Sequence, residues 1–312
     1  MNHIRRIGFF GECMIELQGQ PLQPQRQAFS GDTCNTAIYF NRVKHDPTIC
    51  TAYITAIGVD PFSDAMLQGW QEEGMECRYV QRLPQRTPGI YHILVDDSGE
   101  RSFSYWRGES AARYYFSTIQ VRELMAGMKS LDAFYLSGIS LAILPEADRT
   151  ILIGFLTEFR AKGGSVLFDN NYRPRLWPDA EIARSTYNQI LPLCDLALLT
   201  LDDEAALFDT DTAGQVLDRV SAFNIPEVVI KQGPGDCVGQ SKTEGFFTEP
   251  ACRVDQVVDT TAAGDSFSAA YIAARIAGKA PAQAAAAGHR LACQVIQHRG
   301  AIIPRQKFNI IE

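Results

Sequence analysis

Histidine is scarce in this 312-residue sequence, and the five present (His3, His45, His92, His289 and His298) show no metal-binding spacing. That argues against a histidine-held metal centre, and each reads as a structural residue. No Cys-x-x-Cys pair occurs among the eight cysteines, which are scattered and mostly set in apolar surroundings. They read as reduced core thiols of a cytosolic protein, not as a disulfide framework. Positive charge is not in excess: 29 Lys and Arg face 36 Asp and Glu, a formal net charge of −7. A nucleic-acid partner would call for a basic face, so none is expected. No apolar run reaches the roughly 18 residues of a membrane span. The short run after Arg5 and Arg6 stops at Glu12 and reads as a first strand, not a secretory leader. Two nucleotide motifs are also missing. There is no G-x-x-x-x-G-K-[ST] loop, and "GPGDCVG" (Gly233–Gly239) departs from G-x-G-x-x-G in spacing. A Walker-type site and a dinucleotide-dependent dehydrogenase are both weakly supported.

What is present is an ordinary globular composition, 46% hydrophobic and 21% charged. The length suits one large α/β domain or two modest ones. Ile7–Phe10 reads as a strand, and a helix begins near Thr33. Thr48–Gly58 reads as a buried strand, followed by a helix with Pro61 near its start. The rhythm resumes with "DAFYLSG", a helix over about Pro145–Lys162, "GSVLFDNN", and a helix near Glu181–Leu191. "CDLALLTLDDEAALF" runs from strand into short helix, and "PEVVIKQGPGD" is a strand with a glycine turn. Two last helices are expected at about Ala263–Ala277 and Pro281–Gln297. Strands alternating with helices imply a parallel sheet covered on both faces.

One stretch breaks that rhythm. Thr87–Ser110 has no helical period and reads as two strands around an Asp-Ser-Gly turn. On its second strand Phe103, Tyr105 and Arg107 share a face by the period of two. Such a hairpin is expected to flap over the carboxyl edge of the sheet, where ligands bind. Its free edges would pair with a second copy or be capped within the chain.

The segment "DTTAAGDSF" sets Asp265 at the start of an alanine-rich helix, behind three small residues. A helix start carries unpaired N–H groups and partial positive charge, a natural seat for an anion. Asp265 then has two readings, a plain helix-start aspartate or a proton acceptor. The second fits phosphoryl transfer, with the N–H groups of Ala262, Ala263 and Gly264 holding the transferring charge and Asp265 deprotonating a hydroxyl.

"DTTAAGDSF" resembles the carboxyl-terminal signature of the ribokinase-like (PfkB-type) carbohydrate kinases. "FSGDTCNTA" (Phe29–Ala37) is similar to that family's amino-terminal sugar motif. The likeness runs essentially the full length, and "GECMIEL", "YLSGISLAIL", "FDNNYRPRLW", "LTLDDEAALF" and "RGAIIPR" narrow it toward sugar-acid kinases. The resemblance implies one kinase domain over 1–312, an α/β fold with a mainly parallel central sheet flanked by helices and a small β lid that includes about 87–110. It implies Asp265 as catalytic base and 262–265 as anion hole. Gly31, Asp32, Thr33, Cys34 and Asn35 would meet the sugar, with Tyr91, Tyr105, Trp106, Arg107 and Arg173 around it. Asn171, Tyr172, Arg173, Lys231, Gly233 and Asp236 would lie along ATP, and Glu204 would order magnesium through water. Three positions depart from the family pattern. Ala262 stands for a glycine, Leu201 for an asparagine, and Asp236 for a glycine. A positive φ at Ala262 would be costly.

The residues speak to the substrate as well. A neutral sugar needs hydroxyl partners, whereas a sugar acid needs a cation, and arginine offers a planar fork to a carboxylate. Arg107 also reads as a solvent-facing lid residue, and Arg173 as a loop ion pair or an ATP phosphate contact. The expected activity is ATP- and magnesium-dependent phosphorylation of a sugar acid. The rivals are a kinase of a neutral sugar such as fructose or ribose, and a non-catalytic sugar-binding protein on the same fold.

Overall fold

Alternating apolar side chains on short β-branched and aromatic runs build the centre of the molecule. The computed structural model describes residues 1, 3–95 and 101–309. Among the described residues thirteen strands are numbered in chain order. The central ones are β1 (Arg6–Phe10), β4 (Cys50–Ile57), β5 (Glu76–Arg82), β8 (Ala133–Ser137), β9 (Ser165–Asp169), β10 (Leu196–Thr200), β11 (Glu227–Lys231), β12 (Cys237–Ser241) and β13 (Gly245–Glu249). They form a nine-stranded sheet in the order β13-β12-β11-β10-β9-β8-β1-β4-β5. Pairing is parallel from β11 through β5, and antiparallel between β11 and β12 and between β12 and β13, so that β12 alone is reversed. Ile7, Phe9, Ala133 and Tyr135 enter the core on one face, and Phe10, Phe134 and Leu136 the core on the other. Two apolar faces demand two layers of helices, as the alternation of strand and helix anticipates.

The helices sit close to where the sequence places them: Asp32–Val43, Pro61–Glu72, Glu146–Ala161, Ala180–Ile190, Ala263–Ile276 and Pro281–Val295. Asp60 caps the second of these, accepting from the N–H groups of Phe62 at 3.0 Å and Ser63 at 3.1 Å. His289 lies on the helix Pro281–Val295 and His298 just beyond it. The small residues of Ala263–Ile276 let it pack closely against both Asp32–Val43 and Pro281–Val295. All eight cysteines are free, though Cys252 is exposed and Cys50 and Cys77 are only half-buried.

The lid is larger than the hairpin read from the sequence. Strands β2 (Met14–Gln18), β3 (Arg26–Ser30), β6 (Ile90–Val95) and β7 (Arg101–Trp106) form a second sheet in the order β3-β2-β6-β7. The hairpin supplies β6 and β7, whereas β2 and β3 come from the stretch between the first central strand and the first helix. The Asp-Ser-Gly turn lies outside the described residues. Met14, Tyr91 and Ile93 form a small core of their own on this sheet. Chain segments at 11–13, 31, 89 and 107 tie the lid to the body, next to the carboxyl edge of the parallel strands.

Candidate active site

Parallel strands all end on one edge, so residues far apart in sequence meet there. Asp169 ends β9 and Lys231 ends β11. Lys231 Nζ donates to Asp169 Oδ2 at 2.7 Å, and the Ser268 hydroxyl donates to the same oxygen at 2.8 Å. Ser268 belongs to the alanine-rich helix, so this buried trio locks that helix to the sheet edge. A buried charge pair needs further hydrogen bonds, and Ser268 supplies them, donating to Asp169 and accepting from Lys231 Nζ at 3.3 Å.

At the mouth of that helix, Asp265 Oδ2 accepts from Asn35 Nδ2 at 2.8 Å, across 230 positions of sequence. Asp32, at the start of the helix Asp32–Val43, accepts from Asn171 Nδ2 at 2.7 Å. The two predicted sugar-side residues and the predicted nucleotide-side Asn171 are therefore brought into one cluster. Burial and the nearby Asp32 carboxylate push the Asp265 carboxyl up to about 7, against the hydrogen bond from Asn35. Burial also raises Asp32, opposed by hydrogen bonds from Ser137, the Thr33 N–H and Asn171. A carboxyl near neutrality is a competent proton acceptor for a hydroxyl at neutral pH.

The turn before Asp265 is built as an open seat. Ala262 is left-handed, with φ 62° and ψ 16°, the strained setting that its replacement of glycine foretold. Its φ turns the chain into the helix. The N–H of Ala263 is directed to the Thr260 carbonyl at 3.2 Å. The N–H groups of Ala262, Gly264 and Asp265 show no backbone acceptor among the described residues, as expected at a helix start. Gly264 is exposed, and a methyl group added to it would stand 3.7 Å from Lys231 Nζ. A cation and the helix start thus face one place.

Other predicted residues take varied positions. Gly31 is extended backbone, and any side chain on it would collide with the Glu12 carbonyl. Thr33 and Cys34 are buried, Cys34 within the apolar core. The Tyr91 hydroxyl donates to buried Glu16, and its ring stacks on Tyr105 with centroids 5.9 Å apart. Tyr105 and Trp106 are exposed on the lid. Arg107 pairs with buried Glu12. Arg173 donates to Asp203 at 3.2 Å and to the Tyr172 carbonyl at 2.7 Å, and Tyr172 itself is buried. Burial lifts Asp203 to about 6, with Arg173 opposing. Gly233 has φ 57°, as its turn requires, and Asp236 accepts from the Ala251 N–H at 3.1 Å. Glu204 is fully buried, with its oxygens held by Arg219 and by Asn170, the latter at 3.1 Å. Sequence reasoning did not single out Glu12, Glu16, Asp169, Asn170, Asp203 or Ser268. For Asp169 a signal existed: an acid closing an otherwise apolar strand marks the ligand edge of a parallel sheet.

A parallel sheet, an acid raised toward neutrality at a helix start, a buried lysine beside it and a β lid describe a small-molecule phosphotransferase. The chain belongs to the pfkB family of carbohydrate kinases, whose family model matches residues 5–307. It is 44% identical over 304 residues to the 2-dehydro-3-deoxygluconokinase of Escherichia coli (strain K12), covering 97% of this chain and 98% of that one. It is 45% identical over 302 residues to the 2-dehydro-3-deoxygluconokinase of Dickeya dadantii (strain 3937), covering 96% and 97%. Among solved structures, the 2-dehydro-3-deoxygluconokinase of Thermotoga maritima superposes with a TM-score of 0.82 at 20% identity, over 96% of this chain and 95% of that one.

Proposed function

We propose that the protein transfers the γ-phosphoryl group of ATP to the 6-hydroxyl of 2-keto-3-deoxygluconate (2-dehydro-3-deoxygluconate), giving the 6-phosphate and ADP. The observation that carries this reading is the 44% identity to a 2-dehydro-3-deoxygluconokinase along nearly the whole of both chains. Arg107 and Arg173 at the lid and the nucleotide side agree with it, because a sugar acid brings a carboxylate that a neutral sugar lacks. We read the chain as one kinase domain over 1–312, with the four-stranded sheet as its lid.

In this mechanism Asp265 takes the proton of the 6-hydroxyl while that oxygen bonds to the γ-phosphorus. The bond from the γ-phosphorus to the bridging oxygen breaks, and ADP leaves with the electron pair. The N–H groups of Ala262, Gly264 and Asp265, with Lys231 beside them, stabilise the charge on the transferring group, the Ala263 N–H being turned to the Thr260 carbonyl. Asn35 and Asp32 orient the sugar hydroxyls, and Asn171, Tyr172, Arg173, Gly233 and Asp236 lie along the nucleotide. Lid closure excludes water, the competing acceptor. Among the described residues no three Asp, Glu, His or Cys side chains cluster as a metal cage. Both oxygens of Glu204 are already engaged. A magnesium ion would then be carried by the ATP phosphates and its own waters, and the expected reach of Glu204 to it through water finds no exposed carboxylate oxygen. Such an ion would neutralise phosphate charge.

The test is to incubate the purified protein with ATP, magnesium and 2-keto-3-deoxygluconate and to follow ADP and phosphorus NMR together. The expected result is one ADP per new phosphomonoester, with the phosphorus coupled to the C6 protons. ADP release with only inorganic phosphate, or no ADP at all, would overturn the proposal.

A further inference from the structure

Glu12 has no role assigned by its position in any motif, yet it is 2% exposed and lies where lid and body meet. One of its oxygens, Oε2, accepts from both Nε, at 2.9 Å, and Nη2 of Arg107. The other, Oε1, is buried with no partner among the described residues. Its neighbours are glycines on two sides. A side chain on Gly31 would collide with the Glu12 carbonyl, and a methyl on Gly89 would stand 2.7 Å from Oε1 and 3.0 Å from Arg107 Cβ. Glu12 therefore touches the start of the sugar-side helix with its backbone and the lid arginine with its carboxylate.

A buried ion pair contributes little stability compared with apolar packing, because both charges lose water. Keeping one where two glycines must give way to it calls for another benefit. Arginine supplies that benefit only when its planar fork is held in one orientation. Glu12 holds the Nε and Nη2 hydrogens, which fixes the rotation of the guanidinium and leaves the Nη1 hydrogens outside its grip.

We propose that Glu12 is a positioning residue, which sets the Arg107 fork in advance for the carboxylate of the sugar acid. This rests on the sugar-acid reading above. Glu12 does not touch the substrate. It acts through Arg107, and Gly31 and Gly89 are small so that it fits.

The experiment is a double-mutant cycle on the full chain: the parent, Glu12→Gln, Arg107→Ala and the double variant. Each is assayed for kcat and KM with 2-keto-3-deoxygluconate, for KM of ATP, and for any rate with fructose at high concentration. Glutamine keeps the shape of Glu12 but not its charge. The expected result for Glu12→Gln is a loss of ~10-fold or more in kcat/KM for the sugar acid, carried mainly by its KM, since charged hydrogen bonds are being loosened. KM for ATP should stay within 2-fold of the parent. In the Arg107→Ala background the same change should cost less than about 2-fold, because the group it orients is gone. Equal losses in both backgrounds, or no loss in the parent, would overturn the proposal. If Glu12→Gln does not fold, Glu12→Asp is measured in the same cycle and judged by the same criterion. Failure of the sugar-acid reading looks different: Arg107→Ala would then lose activity equally toward the sugar acid and fructose, whatever the cycle shows.

Discussion

Asp265 sits between two demands, since a base must be deprotonated to work and burial beside Asp32 favours its protonated form. Asp265→Asn leaves an amide carbonyl that still accepts from Asn35, so the fold and ATP affinity should survive. Turnover should fall by ~10²–10⁴, the usual cost of a lost general base. Near-parental kcat in that variant would return Asp265 to the role of a plain helix-start residue. In the parent, kcat/KM should decline as pH falls through about 7, where the carboxyl takes up its proton. The stability consequence has the opposite sense. The folded value is raised from 3.8 to about 7, so the folded state binds this proton more tightly than the unfolded chain does. That contribution is complete below about pH 4 and is lost as pH rises through 7. The melting temperature of Asp265→Asn relative to the parent should therefore climb across that window. A difference that stays constant from pH 4 to 8 would contradict the raised carboxyl.

The helix that carries Asp265 begins with a strained residue, and its geometry separates shape from chemistry. Ala262 has φ 62°, which costs an L-residue roughly 1–2 kcal/mol and glycine almost nothing. Part of that gain is offset by the larger unfolded-state entropy of glycine. Ala262→Gly should thus stabilise the protein by about 1 kcal/mol or less in urea unfolding, with turnover kept; destabilisation would mean the strain is not relieved there. Gly264→Ala tests the anion seat itself. The added methyl meets no clash and stands 3.7 Å from Lys231 Nζ, so the fold should hold. In the proposed mechanism it would crowd the phosphoryl group, and kcat should drop ~10²–10³, the scale of one lost oxyanion donor. Unchanged turnover would move the anion elsewhere. The helix start was legible because small residues and an acid before an apolar run have few other uses. The lid strands β2 and β3 were not. Glu16 of β2 is buried against Tyr91, so a charged residue occupies an inward position. β3, "RQAFS", is a polar edge strand with little alternation to read. Glu12 was hidden for the same reason, an acid buried by a partner 95 positions away.

The arrangement of strands was legible where hydrophobic runs alternate with helices, at β1, β4, β8, β9, β10 and β11, but the half-buried edge strand β5, "ECRYVQR", was not. Strands β12 and β13 were missed because "CVGQS" and "GFFTE" are short and half-exposed. The site needed the folded chain. Its parts come from the ends of β9 and β11, two helix starts and the lid roots, and no local spacing reports that Asn171 reaches Asp32 or that Ser268 reaches Asp169. The departures at Leu201 and Asp236 leave Glu204 and the glycine turn in place, with Glu204 held by Asn170 and Arg219 and Asp236 by the Ala251 N–H. The proposed substrate class is tested most directly by kcat/KM for 2-keto-3-deoxygluconate, fructose and ribose, measured with one preparation at saturating magnesium and ATP. The sugar acid should be preferred by at least ~10-fold, the lower end of what one charged hydrogen bond contributes. A neutral sugar turned over as well as the acid, or better, would contradict a site built around a carboxylate.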